Sequence, residues 1–366
     1  MPQDFAKMRE PKMADVEKRL GQRYTRPSRT DLDAISLPGW SATELLPHLT
    51  RFETYHKFVE PSAFPASAGP IHGVEGPVAV SSGGFRAERV EQALLSAAAA
   101  AGYPEVHDLQ NLDGKTANGF ERYVRYVSPE GTRQDAATAF VHPVLDAEAD
   151  EEADKQGRRD VVGSCGGALH VLVEHKVVRI LFDAHAAGNG SLPRAVGVEI
   201  VRNPRFLSTS ELSSPSRLHE KCASVRARRL VVVACGAYGS PGVLERSGLG
   251  RVDVLARAGI ARVPGAVDLP GVGERYQDHQ GVMSVFEVDV AAWETLDDIW
   301  TQGRAVNVAG VEVDRRRGWN GIDVIGKVRP TEARLKELGV EFERGWTRDY
   351  SLVPDRPLVL IGFLNG

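Results

Sequence analysis

The sequence predicts a mixed α/β protein, α+β in its detail, made of two parts. Three observations predict it. Apolar residues recur at helical spacing around residues 40–52 and 88–101. A strand-rich stretch fills residues 168–203. An apolar run then enters a glycine turn and a helix over residues 230–250. At 366 residues the chain is long enough for two domains of roughly 150 residues. Its 42% hydrophobic share is enough to build a core. The formal net charge of −4 supplies no basic field for a nucleic acid or an acidic membrane face. No stretch approaches the ~18 apolar residues of a membrane span. The N-terminal MPQDFAKMREPKMADVEKRL is charged throughout and has no apolar signal region. Cys165, Cys222 and Cys235 are scattered, without zinc-type or disulfide-type spacing. A reduced, intracellular protein without a signal peptide is therefore expected.

The elements follow in order. ADVEKRLGQR is compatible with a short helix. Trp40, Leu45, Leu46, Leu49 and Phe52 repeat at helical spacing, with Ser41 as N-cap and Glu44 completing a capping box. Val78 and Val80 mark a short strand. A second helix spans Ala87–Ala101 and is closed by Gly102. The run at 146–160, DAEADEEADKQGRRD, lacks the spacing of a calcium loop and reads as a solvated surface loop. ALHVLVEHKVVRILFDA and RAVGVEIVRN, joined through a Gly188-Asn189-Gly190 turn, carry a β-meander signature.

Leu230–Cys235 is a β-branched apolar run of the kind buried on both faces of a sheet. It ends at Gly236. Ser240 stands where an N-cap belongs and Pro241 where the first helical residue belongs, and the helix is expected to stop at Gly248. Free N–H groups at such a helix start suit a phosphate. The glycines at 236, 239 and 242 do not match the GxGxxG fingerprint, so the residues alone leave both a structural turn and a nucleotide contact open. Downstream, DLPGVGERYQDH (Asp268–His279) contains a glycine corner. Asp278 and His279 are neighbours in sequence, so on an extended chain they point to opposite sides and form no relay.

GAYGSPGVLERSGLG (Gly236–Gly250), followed by LPGVGERYQDH (Leu269–His279), resembles the glucose-methanol-choline oxidoreductases. The similarity extends to the alcohol (methanol) oxidases within that family. It is carried by Tyr24-Thr25-Arg26, Gly39-Trp40, Leu45-Leu46-Pro47, Glu53-Thr54-Tyr55, His72-Gly73-x-Glu75-Gly76-Pro77 and Ala139-Phe140-Val141-His142. Glu245 stands where the family has an apolar residue, and Arg275 where it usually has Asn.

The resemblance implies a partial Rossmann-like FAD-binding domain with part of an antiparallel-sheet substrate domain. It divides the chain into an atypical segment 1–22, mixed FAD-covering and substrate-domain segments over 23–145, the acidic loop 146–160, the remainder of the FAD-binding domain over 161–280 and an incomplete substrate domain over 281–366. It implies a flavoenzyme of methanol metabolism that oxidises a primary alcohol with O₂ to an aldehyde and H₂O₂, with a histidine near the flavin as base. FAD and a small primary alcohol would be its partners, in a cytoplasmic or peroxisomal setting, with a homo-oligomer or a full-length paralogue as a possible associate. By the same resemblance, Val177, Ala234, Gly236 and Ala237 are the cofactor-binding candidates on the adenosine side. No GxGxxG occurs in the chain, and none of its ten histidines stands in the family's catalytic motif, so no catalytic residue and no metal ligand is assigned. The expectation is a fragment, inactive or incomplete by itself, in which Leu230–Cys235 lacks a neighbouring strand. The alternative is a non-catalytic scaffold or interaction protein of the same descent. A different nucleotide enzyme is disfavoured by the glycine spacing.

Overall fold

The computed structural model describes residues 23–56, 71–113, 118–146, 161–164, 169–183, 192–203, 222–296, 316 and 318–365. In chain order the elements are α1 (Arg29–Asp33), α2 (Ala42–Phe52), β1 (Glu53–Tyr55), β2 (Val78–Val80), α3 (Glu88–Ala100), β3 (Gly119–Arg122), α4 (His142–Asp146), β4 (Val161–Ser164), β5 (His170–Leu172), β6 (His175–Phe182), β7 (Ala195–Arg202), β8 (Ala223–Arg226), α5 (Gly236–Arg246), α6 (Val252–Arg257), β9 (Ile322–Val328), α7 (Glu332–Leu338), α8 (Val340–Asp349) and β10 (Val359–Leu364). They fall into two compact units. One comprises Met1–Val144 with Glu287–Gly366, and the other Leu145–Phe286. The Gly188-Asn189-Gly190 turn, the N-terminal helix of the sequence reading and nearly all of the acidic run lie outside the described residues.

In the first unit, β9 is the middle strand of an antiparallel sheet ordered β10-β9-β3. All seven of its residues are buried, including Asp323 and Lys327. Helix α3 lays Leu95 and Ala98 on Phe120, Val324 and Val328. Val90 joins Phe85, Ala87, Leu296 and Trp319 in an adjoining apolar cluster. The buried charges of β9 are paired. Asp323 accepts from the Ala87 backbone N–H and from Trp319 Nε1, at 2.9 and 2.8 Å, and faces Arg125. The short parallel pair β1–β2 forms a second small sheet.

The capping box at the start of α2 is formed as the sequence predicts. Ser41 Oγ accepts from the Glu44 N–H, and the Glu44 carboxylate takes the Ser41 N–H. Leu45, Leu46 and Leu49 pack against Leu32, Ala42 and Leu112, whereas Trp40 stays exposed. Helix α3 ends before Gly102, whose φ of +88° is the left-handed turn that glycine adopts without penalty.

In the second unit, β6, β7 and β8 form an antiparallel meander in that order. Helix α5 docks on β6. Ser247 Oγ accepts from the Ile180 N–H at 2.8 Å, and Arg246 Nε donates to the Val178 carbonyl at 2.8 Å.

Two expectations are corrected here. Leu230–Cys235 is not a buried strand: it joins no sheet ladder among the described residues, and Leu230 and Val232 are about three-quarters exposed. Strand character needs a hydrogen-bonding neighbour, which local β-propensity does not provide. Nor does the helix begin at Ser240. It begins at Gly236, so Ser240 and Pro241 lie inside it. Ser240 Oγ reaches back to accept from the Cys235 N–H at 3.0 Å, so the hydroxyl still satisfies a backbone donor at the helix start, one turn earlier than expected.

Replacing the half-buried Ser41 cap, Ser41→Ala, is expected to lower unfolding stability by about 1 kcal/mol in urea titrations. No change would show that the box does not hold the start of α2.

Candidate functional site

The two sequence motifs of the second unit meet in space. The corner at 269–273 turns tightly, with the Val272 N–H bonded to the Leu269 carbonyl at 3.1 Å. Its Gly273 has a φ of +75°, and a Cβ there would sit 3.1 Å from Glu245 Oε1 on α5. Tyr276 stacks on Tyr238 of α5 with ring centroids 5.0 Å apart, and Arg251 pairs with Glu274 at 2.7 Å. Asp278 accepts from Tyr276 Oη and from the His279 backbone N–H, at 2.8 and 2.7 Å. Its carboxylate is used to shape the corner, and both Asp278 and His279 are exposed. Arg275 has a φ of +53°, a left-handed position that Asn tolerates far better than a long side chain.

Around this pair stand the four candidate ligand contacts. Val177 is half-buried on β6, the strand on which α5 docks, opposite Ile200 of β7. Ala234, Gly236 and Ala237 are exposed. Gly236 has a φ of +79°, and a Cβ there would meet nothing within 4 Å. Glycine is required at 236 by the backbone angle and not by close approach of another group. The N-cap residue of α5, Cys235, gives no side-chain cap, so the helix start keeps free N–H donors. The turn can therefore present backbone donors to a ligand. It does not surround one.

A second constellation, which composition and spacing did not reveal, lies buried in the first unit. Glu53 is 2% exposed and gathers its donors from two segments. Arg26 Nη2 donates to Oε1 at 2.7 Å, and Tyr24 Oη donates to Oε2 at 2.8 Å. His72 Nδ1 lies 2.7 Å from Oε1, with the Gly73 N–H at 3.4 Å. His72 Nε2 lies 3.2 Å from Asp108 Oδ2, and the ring stacks on Tyr55 at 3.8 Å. The motif residues Tyr24, Arg26, Glu53, Tyr55 and His72 thus converge on one point. Asp108 also accepts from the Gln110 N–H, and Gln110 Nε2 donates to Glu121 at 2.7 Å. Lys327 Nζ donates to the carbonyls of Arg26 and Leu109, at 2.8 and 2.7 Å.

Burial shapes the titration of this cluster. It pushes the Glu121 carboxyl up to about 7 and the Lys327 ammonium down to about 8. It raises the Tyr24 and Tyr55 phenols beyond their ordinary range. For His72 burial works against the charged form, but the hydrogen bonds to Asp108 and Glu53 outweigh it and raise the ring above its ordinary value. Tyr24, Glu53, Glu121 and Lys327 are buried and His72 and Tyr55 half-buried, so the cluster serves first to bind the unit together.

Three comparisons with known proteins bear on this arrangement. The family model for GMC oxidoreductases matches residues 21–281. Among curated relatives, an alcohol oxidase of Pichia angusta is 30% identical over 348 residues, covering 94% of this chain and 45% of the relative. An oxygen-dependent choline dehydrogenase of Pectobacterium atrosepticum is 30% identical over 263 residues, covering 71% of this chain and 37% of the relative. Among solved structures, a formate oxidase variant from Aspergillus oryzae superposes with a TM-score of 0.67 at 18% identity, covering 94% of this chain and 52% of that one. An FAD-dependent oxidoreductase from Chaetomium thermophilum gives 0.58 at 20% identity, covering 94% and 57%. These likenesses show a shared fold. The chain spans about half the length of the proteins it matches.

Two substitutions test the geometry. Arg275→Asn is expected to stabilise the chain by about 1 kcal/mol in thermal or denaturant unfolding, by relieving the left-handed position; a loss of stability would contradict this. Glu53→Gln removes the charge that Arg26 and His72 share and is expected to cost about 3 kcal/mol. A variant as stable as the parent would show that the cluster is not a brace.

Proposed function

The chain belongs to the GMC oxidoreductase family, and from that premise we propose a part of an FAD-dependent alcohol oxidase that does not complete the reaction by itself. The reaction proposed for the whole assembly is oxidation of a primary alcohol by O₂ to an aldehyde and H₂O₂. FAD would supply the hydride acceptor. The resemblance of the Gly236–Gly250 and Leu269–His279 motifs supports this class, and the alcohol oxidase and choline dehydrogenase likenesses agree with it. We assign residues 161–280 to the FAD-binding part. Residues 23–145 are assigned to mixed FAD-covering and substrate-domain segments, and 281–366 to the substrate part.

The observation that carries the reading is the exposure of the turn. Val177, Ala234, Gly236 and Ala237 are the residues proposed to meet the adenosine side of the cofactor. Three of the four are exposed, and the segment leading into them has no ladder partner among the described residues. A flavin dinucleotide is retained through charge-assisted bonds to its pyrophosphate, each contributing about 1.5–3 kcal/mol. The described residues at this turn offer backbone N–H donors but no enclosing cradle. They fit a contact with one end of FAD and do not fit retention of the whole cofactor, so no chemical step is assigned to a residue of this chain.

A second reading, a non-catalytic scaffold or interaction protein, has its own support. Val282, Met283, Val285 and Phe286 are all more than three-quarters exposed, as large apolar residues in monomers seldom are in a run. Co-purification with a full-length oxidase of the family would favour it, and a soluble flavin-free monomer would count against it.

The visible spectrum of the purified chain, taken before and after FAD addition and gel filtration, tests the first reading. The proposal predicts no retained flavin band near the ~450 nm of the oxidised cofactor and no alcohol-dependent peroxide. A retained band would overturn it.

A further inference from the structure

His72 has carboxylate oxygens at both ring nitrogens, Glu53 Oε1 at Nδ1 and Asp108 Oδ2 at Nε2. A neutral imidazole has one N–H donor and one lone pair. In that form one nitrogen would point its lone pair at a carboxylate oxygen, an unfavourable contact in a largely buried site. Only the imidazolium donates in both directions. The charges agree with the geometry. One fixed cation, Arg26, faces two carboxylates, Glu53 and Asp108, so a second positive charge neutralises the group.

The surroundings leave little alternative. From the segment before α1 come Tyr24 and Arg26. From β1 come Glu53 and Tyr55, and from the turn before β3 comes Asp108. Glu121 on β3 and Lys327 on β9 lie one hydrogen-bonding step further, through Gln110. Tyr24 Oη, 3.2 Å from Nδ1, already gives its proton to Glu53 and so has only a lone pair to turn toward the ring.

The ring also anchors a turn. Immediately after His72, the Gly73 carbonyl accepts from the Tyr55 N–H at 2.8 Å, and the Gly76 N–H donates to the Glu53 carbonyl at 3.0 Å. The backbone runs so close that a Cβ at Gly73 would lie 1.6 Å from the Thr50 carbonyl oxygen, and one at Gly76 2.3 Å from the Glu53 nitrogen. Arg26 Nη1 donates to the Ile71 carbonyl at 2.9 Å on the other side of the ring.

We propose that His72 is a proton-operated latch: as the imidazolium it clamps the His72–Pro77 turn onto β1, and loss of its proton releases that turn. The sign follows from the geometry. Making both hydrogen bonds at once needs the imidazolium, and the neutral ring keeps only one of them, so the clamp is complete below the ordinary histidine range near 6.5 and loses one of its two bonds as pH rises through the higher value that the two carboxylates impose. Protonation of Glu121, which burial favours, weakens in a similar window, so the two groups must be separated by experiment.

The test is a nitrogen-detected NMR titration of the ring in the full chain. At pH 6.5, where a free histidine is about half charged, His72 is expected to show both nitrogens protonated, and a neutral-ring pattern there in the folded protein would overturn the proposal. Asp108→Asn removes one of the two acceptors and is expected to lower the titration midpoint by a unit or more. Glu121→Gln is expected to leave it unmoved, and equal shifts in the two variants would contradict the assignment. Cleavage after the exposed Glu75 by a glutamate-specific protease, relative to cleavage after the exposed Glu341, is expected to rise at least tenfold across the pH range in which the titration shows the ring losing its proton. A constant ratio would show that no turn is released.

Discussion

The Glu53 carboxylate is the interaction on which the first unit depends. It stands where α2 ends and β1 begins, and it is almost wholly buried. An isolated buried carboxylate is costly, so it persists only with donors on its lone pairs. Those donors come from Tyr24 and Arg26 on one side and from His72 and Gly73 on the other. Satisfying one charge thereby fixes the entry of the chain at residues 24–26, the end of α2 and the turn before β2. The network continues through Asp108 and Gln110 to Glu121 and Lys327, which ties these segments to β3 and the middle strand β9.

The second unit is organised differently. Its meander and docked helix are held by backbone ladders and a few polar contacts, of which Ile180 to Ser247 is the best buried. The segment that leads into the helix joins no sheet ladder among the described residues, and its Leu230 and Val232 face solvent. The glycine at 236 is still demanded by its backbone angle, so the turn keeps its shape while the strand before it has no ladder to join. The contrast between a braced unit and an open turn is the physical basis for proposing contact with a cofactor without retention of it.

Local signals made much of this legible in the sequence. The Ser41–Glu44 box, the glycine stop at Gly102 and the alternating Val, Ile and Leu residues of β6 and β7 each act within a few residues, and each appears as expected. What was not legible depends on distant partners. Lys327 and Glu121 carry no signal in the sequence, because nothing near them announces the carbonyls and amide that bury them. Leu230–Cys235 read as a core strand because its propensity is strong, and propensity carries no information about a neighbour. The family motifs were visible as strings, but not the fact that Tyr24, Glu53 and His72 meet at one carboxylate. The departure at Arg275 gained its meaning only from a left-handed backbone angle.

The central claim is that a charge-braced first unit coexists with an unpaired turn in the second. Hydrogen exchange measured by residue tests it most directly. The account predicts strong protection for the amides of Ile322–Val328 and for Tyr55, and near-unprotected exchange for Val231–Ala234, whose N–H groups have no ladder partner among the described residues. Strong protection of Val231–Ala234 would contradict it, because those amides would then belong to a formed sheet and the turn would be built to hold its ligand.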